Sequence, residues 1–106
     1  MVSMPTPEDA FNLDRMIHEP GRLAILTVLS SVKSTDFTFL LKVTGLTKGN
    51  LSSHLSKLED AGLLTIDKRF VHKKSHTTAA LTPAGRDGIE AHWRQLDALK
   101  DLAKRG

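Results

Sequence analysis

Residues 45–64 read Gly-Leu-Thr-Lys-Gly-Asn-Leu-Ser-Ser-His-Leu-Ser-Lys-Leu-Glu-Asp-Ala-Gly-Leu-Leu, and they contain the clearest structural signals of the sequence. Thr47 is a favourable N-cap residue, and Gly62 is a favourable residue at which to end a helix. Three leucines between them have the i, i+4, i+7 spacing that places side chains on one face of a helix: Leu51, Leu55 and Leu58. The sequence therefore predicts an amphipathic helix over residues 48–61.

Shorter signals on both sides of this helix predict the other elements. Upstream, they predict a loose arm over residues 1–10 and helices over residues 11–18, 20–31 and 37–43. Downstream, they predict strands over residues 63–67 and 77–81, joined by a long polar tip, and a last helix over residues 83–104. The second helix has a dense apolar pattern, so we expect it to lie centrally in the core.

Composition excludes several classes of protein. With 106 residues, 40% of them hydrophobic and 25% charged, the chain fits one globular domain. The absence of cysteine excludes disulfides, thiolate zinc sites and a cysteine nucleophile. The charge-free run at residues 23–32 is too short to cross a membrane as a helix, and the N-terminus lacks the pattern of a secretory signal. We therefore expect a cytoplasmic protein without a membrane anchor.

The positive charge is concentrated in one segment. The formal net charge is only +3, but residues 68–86 contain five lysines or arginines and no acidic residue. In contrast, residues 1–32 contain four acidic residues and two basic ones. A basic segment of this kind is typical of a surface that contacts nucleic acid. The predicted hairpin therefore has a positively charged tip.

Two short helices joined by a tight turn, followed by a basic hairpin, are the arrangement of a winged helix-turn-helix. Residues 45–64 resemble the recognition-helix segment of MarR/ArsR-type regulators, and Leu81-Thr82-Pro83-Ala84-Gly85-Arg86 resembles the strand-to-helix junction of the same group. The resemblance implies a mainly α fold with a small β-hairpin wing at residues 11–82, and an extended C-terminal dimerisation helix at residues 83–106. The implied function is regulation of transcription by binding double-stranded DNA.

The helix face opposite the three leucines suits a DNA groove. It presents small or donor-rich side chains and no acidic one: Gly49, Asn50, Ser53, Ser56 and Lys57. An asparagine can pair with adenine through two hydrogen bonds, and a serine can bond a base or a phosphate. His54 either reaches a phosphate or packs within the protein. The predicted DNA contacts of this helix are Lys48, Asn50, Ser52, Ser53, His54 and Lys57.

The predicted wing adds further DNA contacts, to the phosphate backbone or the minor groove. They are Arg69, His72, Lys73, Lys74 and His76. His72 and His76 have no thiol or carboxylate beside them to complete a metal site, so we predict no metal and no cofactor. Ser52, Ser53 and His54 are adjacent on a helix and point in different directions, so we predict no enzymatic activity.

The last helix has an apolar stripe longer than a small core needs, which predicts a homodimer interface. The predicted interface residues are Phe11, Leu13, Ile89, Trp93, Leu96, Leu99, Leu102 and Ala103. The resemblance agrees, since related regulators dimerise through terminal helices. Any small-molecule effector would have to bind between the core and these helices. The alternative function is a winged-helix module that binds an acidic protein partner instead of DNA.

Overall fold

A computed structural model describes residues 14–105 of the protein. In chain order the elements are α1 (Pro20–Ser30), β1 (Thr35–Asp36), α2 (Phe37–Thr44), α3 (Lys48–Asp60), β2 (Leu64–Val71), β3 (Lys74–Leu81) and α4 (Pro83–Arg105). The predicted fold class, mainly helical with a β-hairpin, is confirmed. The arm predicted over residues 1–10, together with Phe11 and Leu13, lies outside the described residues. No helix within residues 14–105 is long and apolar enough to cross a membrane.

Side-chain caps fix the starts of α2 and α3. The Asp36 carboxylate accepts a hydrogen bond from the backbone N–H of Phe39 over 2.7 Å, and the Thr47 hydroxyl accepts one from that of Asn50 over 3.1 Å. Gly45 follows α2 in the left-handed conformation, with φ of 69°. Glycine adopts this conformation without the steric cost that a side chain would bring. Local sequence signals thus set the turn between the two helices.

The helix predicted over residues 11–18 is wrong for the part that the structure describes, where the chain forms a single turn. The backbone carbonyl of Asp14 accepts from the N–H of His18 over 2.8 Å, and the Asp14 carboxylate accepts from the N–H of Met16 over 2.9 Å. Such side-chain bonds compete with helix formation. Pro20 also disfavours a helical conformation at Glu19, which is extended with ψ of 132°.

The three strands form an antiparallel sheet in the order β1-β3-β2. The prediction of short strands with a long tip is wrong, because β2 and β3 pair along their whole length, from Leu64 opposite Leu81 to Val71 opposite Lys74. Only His72 and Lys73 connect them, with φ of 52° and 64°. Positive φ at both central residues is typical of the type I′ turn, whose twist matches that of the paired strands. The basic segment is therefore an ordered ribbon.

Each helix and the hairpin contribute buried apolar side chains to the hydrophobic core. Its buried members are Ile17, Ile25, Leu26, Leu29, Leu40, Leu51, Leu55, Leu58, Leu64, Ala79 and Ile89. The predicted central position of α1 is confirmed, since three of its residues are in this set. The predicted inward face of α3 is also confirmed. Burying its three leucines fixes the rotation of α3 about its axis, so the opposite face must point to solvent.

A tight junction joins the hairpin to α4. The Thr82 hydroxyl donates to the backbone carbonyl of Gly62 over 2.6 Å and accepts from the N–H of Gly85 over 3.0 Å. The N–H of Thr82 donates to the carbonyl of Leu63 over 3.1 Å. Gly85 is buried directly against the same carbonyl, where a Cβ atom would overlap with the oxygen. This close approach sets where α4 leaves the domain.

Candidate nucleic-acid interface

The outward face of α3 is exposed and free of acidic residues over its first three turns. Its predicted members are all exposed: Lys48, Gly49, Asn50, Ser52, Ser53, Ser56 and Lys57. Thr47 caps the helix, so Lys48 and Asn50 stand at a well-defined helix N-terminus. The backbone N–H groups at such an end favour a phosphate, and the lysine charge adds to that preference. The face offers hydrogen-bond donors and acceptors with little steric bulk.

The structure places His54 away from this face, packed against the start of α1. Its Nε2 lies 3.5 Å from a Glu19 carboxylate oxygen, and its Nδ1 lies 3.3 Å from Nη1 of Arg22. A neutral imidazole satisfies both neighbours if Nε2–H donates to Glu19 and Nδ1 accepts from Arg22. Of the two roles that the sequence left open, the geometry favours packing. His54 thus joins α3 to the start of α1.

The hairpin carries its predicted basic residues on one face, opposite the buried Leu64, and at its tip. All five are exposed: Arg69, His72, Lys73, Lys74 and His76. Arg69 lies opposite His76 on the neighbouring strand, and its Nε donates to the Asp67 carboxylate over 2.8 Å. An exposed ion pair of this kind contributes little to stability. Within residues 14–105, the salt bridges leave Lys73 and Lys74 without a carboxylate partner.

A cleft of about 220 Å³ separates α3 from the hairpin. Polar groups from both sides line it, namely Ser52, Ser56, Lys68 and Thr77, above the apolar side chains of Phe37, Leu55 and Ile66. Lys68 and Thr77 are directly opposite each other in the hairpin, so they share one face. Neither residue was predicted as a site residue from the sequence. Alternate residues of a strand share a face, so the apolar Leu64 and Ile66 would have placed Lys68 on the face that lines the cleft. The cleft therefore has α3 on one side and the Lys68 face of the hairpin on the other.

A sequence profile of the family described as "Winged helix DNA-binding domain" matches residues 22–100. The chain belongs to this winged-helix family. The match spans α1 to most of α4, so it covers the helix-turn-helix, the hairpin and the junction. The predicted resemblance to winged-helix regulators is confirmed. The family and its fold are those of DNA-binding transcriptional regulators rather than of enzymes.

Individual proteins are similar to this chain in sequence or in fold. An uncharacterized protein of Methanocaldococcus jannaschii is 34% identical over 65 residues, which are 61% of this chain and 71% of that protein. A transcriptional regulator homologue from Pyrococcus horikoshii OT3 has a TM-score of 0.81 and 27% identity, covering 91% of this chain and 94% of the other. A MarR family regulator from Silicibacter pomeroyi has a TM-score of 0.64 and 22% identity, covering 93% and 68%, and shares the fold.

In this winged helix, Glu19 connects the start of α1 to α3. Its carboxylate accepts from the N–H groups of Gly21 and Arg22 over 3.0 and 2.8 Å, and faces His54. Partial burial raises the pKa of Glu19. The hydrogen bonds from those N–H groups and the electrostatic interactions with His54 and Arg22 together lower it by more, so the pKa lies below its ordinary value. The carboxylate is thus ionised at neutral pH. It orients the side chains of His54 and Arg22, which connect α3 to α1.

The apolar stripe on α4 divides into a buried part and an accessible part. Ile89 is completely buried in the core of the single chain, so its predicted place in a dimer interface is wrong. The apolar spacing in the sequence continues without a break from the buried face of α4 to the part of the helix that extends beyond the core. The sequence therefore predicted a single stripe. Trp93 remains 37% exposed, whereas Leu96, Leu99 and Leu102 are half-buried and Ala103 is exposed. These five residues are the accessible stripe.

A pair of histidines joins α4 to the segment before α1. His18 Nδ1 lies 3.0 Å from Nε2 of His92, which is 1% exposed. Among the residues described, Nδ1 of His92 has no hydrogen-bond partner. Burial lowers the pKa of His92 and so does the charge of His18, whereas Asp14 raises it by less. His92 is therefore neutral when the protein is folded at neutral pH.

We expect the winged helix to lose stability on mild acidification because of His92. Its pKa is lower in the folded chain than its ordinary value of 6.5, so the unfolded chain takes up the proton first as pH falls. The free energy of unfolding should therefore decrease below about pH 6.5. Denaturant unfolding from about pH 8 to about pH 5 measures this slope. His92→Asn should flatten it, and an unchanged slope in that variant would contradict the assignment.

Proposed function

We propose that this winged helix is a homodimeric transcriptional regulator that binds a specific sequence of double-stranded DNA. Helix α3 enters the major groove, and the hairpin contacts the phosphate backbone or the minor groove. The observation that carries the proposal is the exposed, acid-free face of α3 beside a hairpin whose basic residues are all exposed. Since the proposed target is chromosomal DNA, the cytoplasm is the expected location.

The α3 residues divide into those that read bases and those that bind phosphate. Asn50 and Ser53 are one turn apart, so both side chains point to the same side of the helix. Asn50 can donate to and accept from an adenine edge, and Ser53 can bond a neighbouring base. Lys48, at the start of the helix, and Lys57, near its end, are placed for the backbones that border the groove. Ser52 faces the cleft and suits a phosphate.

The hairpin supplies binding that does not depend on sequence. Lys73 and Lys74 have no carboxylate partner within residues 14–105, so no internal ion pair has to break when they meet phosphate. Each phosphate neutralised by a lysine releases condensed counterions, which makes the affinity fall with rising salt. His72 and His76 add donors on the same ribbon. Arg69 can exchange its exposed Asp67 partner for a phosphate at small cost.

Selection of duplexes from a random-sequence library, followed by titration of the enriched duplex across a salt series, tests the proposal. We expect enrichment of one sequence motif, and tighter binding to it than to a scrambled duplex. The alternative, a protein-docking module, would be expected to fill the face of α3 with apolar or aromatic side chains, and this face is polar. Failure of the library to yield any enriched duplex would contradict DNA reading and favour the alternative.

The accessible stripe on α4 supports the dimer. It is a row of apolar side chains, four of them large, on a helix that extends beyond the core, and such surfaces usually mark interfaces. A twofold axis through this helix pair presents two copies of α3 to one side of a duplex. Recognition helices of such dimers lie about 34 Å apart, one turn of DNA. Dimerisation thus doubles the surface that meets DNA and favours a palindromic site.

We expect Leu99→Asp to convert the dimer into a monomer, because the substitution buries a charge in the proposed interface. Sedimentation velocity at micromolar concentration should give about twice the monomer mass for the wild type and the monomer mass for the variant. Lys100→Ala, at an exposed neighbouring position, is the matched control and should stay dimeric. A wild-type protein that remains monomeric at all concentrations would contradict the homodimer.

A further inference from the structure

Phe70 is an aromatic residue that the fold leaves uncovered. It is 81% exposed near the end of β2, more than any other large hydrophobic residue within residues 14–105. Its basic neighbours along the hairpin are Lys68 and Arg69 on β2, Lys73 in the turn and Lys74 at the start of β3. A side chain of this size gains little by remaining in water. Its position at the centre of the basic ribbon implies a partner that is both anionic and able to cover an aromatic ring.

The register determines which way Phe70 points. Side chains alternate along a strand, so Phe70 is on the same face as Leu64, which is buried, and Ile66, which is half-buried. Ser75 is its cross-strand partner and offers no apolar cover. The ring therefore projects from the hairpin face that turns toward α3, but beyond the reach of the core. Val71, the next residue, points from the opposite face and is 44% exposed.

The cleft between α3 and the hairpin locates this ring on DNA. With α3 in the major groove, the sugar-phosphate strand that borders the groove must pass through the cleft, where Ser52, Lys68 and Thr77 provide donors. Phe70 lies two residues further along the strand than Lys68, or about 7 Å. That distance is enough for the Phe70 side chain to reach past the sugar-phosphate strand of the DNA. The groove on the far side of the backbone is the minor groove.

We propose that Phe70 enters the minor groove as an apolar wedge that partly unstacks one base step and bends the duplex. The proposal rests on the DNA-binding function proposed above and adds a residue to it. Phenylalanine is among the side chains that proteins insert between base steps in this groove, with a kink toward the major groove. Pyrimidine–purine steps unstack most readily, so Phe70 favours sites with such a step under the wing. It therefore contributes specificity without a hydrogen bond.

The experiment uses the duplex enriched by the wild-type protein, labelled with a donor and an acceptor dye at its ends. In a second set, 2-aminopurine replaces each adenine under the wing in turn. The variants are Phe70→Ala, Phe70→Leu and Val71→Ala, the last being the matched control on the opposite face. Circular dichroism confirms that each variant is folded, as expected for exposed positions.

Wild type and Val71→Ala should bring the dyes closer and raise the 2-aminopurine fluorescence at one step in each half-site. Phe70→Ala should lose both signals and bind about tenfold more weakly, whereas Phe70→Leu should retain part of the bend. A Phe70→Ala variant that bends and unstacks the duplex as the wild type does overturns the wedge and leaves the DNA-binding function standing. Equal loss in Val71→Ala also overturns it. If no duplex is enriched by the wild type, the underlying function fails as well.

Discussion

Alanine at Asn50 or Ser53 is expected to weaken binding to the enriched duplex by about 1–3 kcal/mol, and to relax preference at one or two base pairs. Both side chains are exposed on the side of α3 opposite its buried leucines, so their loss would remove the proposed hydrogen bonds to base edges without disturbing the core. Binding to a scrambled duplex should change little. Titration of both duplexes by fluorescence anisotropy measures the difference.

Replacement of Lys73 and Lys74 by alanine should instead weaken binding without changing the preference for the enriched duplex over the scrambled one. In the proposed complex these residues meet phosphates, so both duplexes should bind more weakly by similar factors. The slope of log affinity against log salt should fall by about one unit for each phosphate left without its lysine. Lys100→Ala removes the same charge from α4 and serves as the control. If the Asn50 and Ser53 variants match the wild type on the enriched duplex, α3 is not the reading helix.

Gly85→Ala is expected to destabilise the fold by about 3 kcal/mol, a large effect for one methyl group. The added Cβ would overlap with the backbone carbonyl of Leu63, and this carbonyl also accepts the N–H of Thr82. Backbone cannot swing aside as a flexible side chain can, so the junction between the hairpin and α4 must shift. Urea unfolding monitored by circular dichroism gives the loss.

Gly49→Ala is the matched control for that substitution. Gly49 is in the first turn of α3 with no atom close to the added Cβ, so the change should be neutral or should stabilise the helix by up to about 1 kcal/mol. A Gly85→Ala variant as stable as the Gly49→Ala variant would show that the junction can relax. The overlap would then not fix the direction of α4.

Helix α3 could be predicted from the sequence because all its signals are local. Thr47 caps the helix, and the leucine spacing identifies the buried face wherever the rest of the chain lies. The exposed face follows by elimination, so most of the candidate DNA contacts could be named in advance. The same reasoning located the start of α4, where Thr82 precedes Pro83.

Features that depend on distant partners could not be predicted in this way. The role of His54 depends on Glu19 and Arg22, which a separate helix brings to it. The outer half of the hairpin has polar residues on both faces. Its sequence therefore lacks the alternation of apolar and polar residues that would have predicted the full length of the strands. The continuous stripe on α4 concealed the fact that Ile89 belongs to the core. In each case, spacing along the chain cannot show what packs against the residue.

The turn at His72 and Lys73 has a consequence for the kinetics of the wing. A left-handed conformation is about 1–2 kcal/mol less favourable for residues with a Cβ than a right-handed one, and Asn-Gly forms this turn more readily. The hairpin tip should therefore fray in free protein, with amide hydrogens near Val71 and Lys74 exchanging faster than those near Leu64. Phosphates held by the two lysines would slow that exchange. If the hairpin binds DNA as proposed, its affinity would thus be coupled to the opening equilibrium of its own tip.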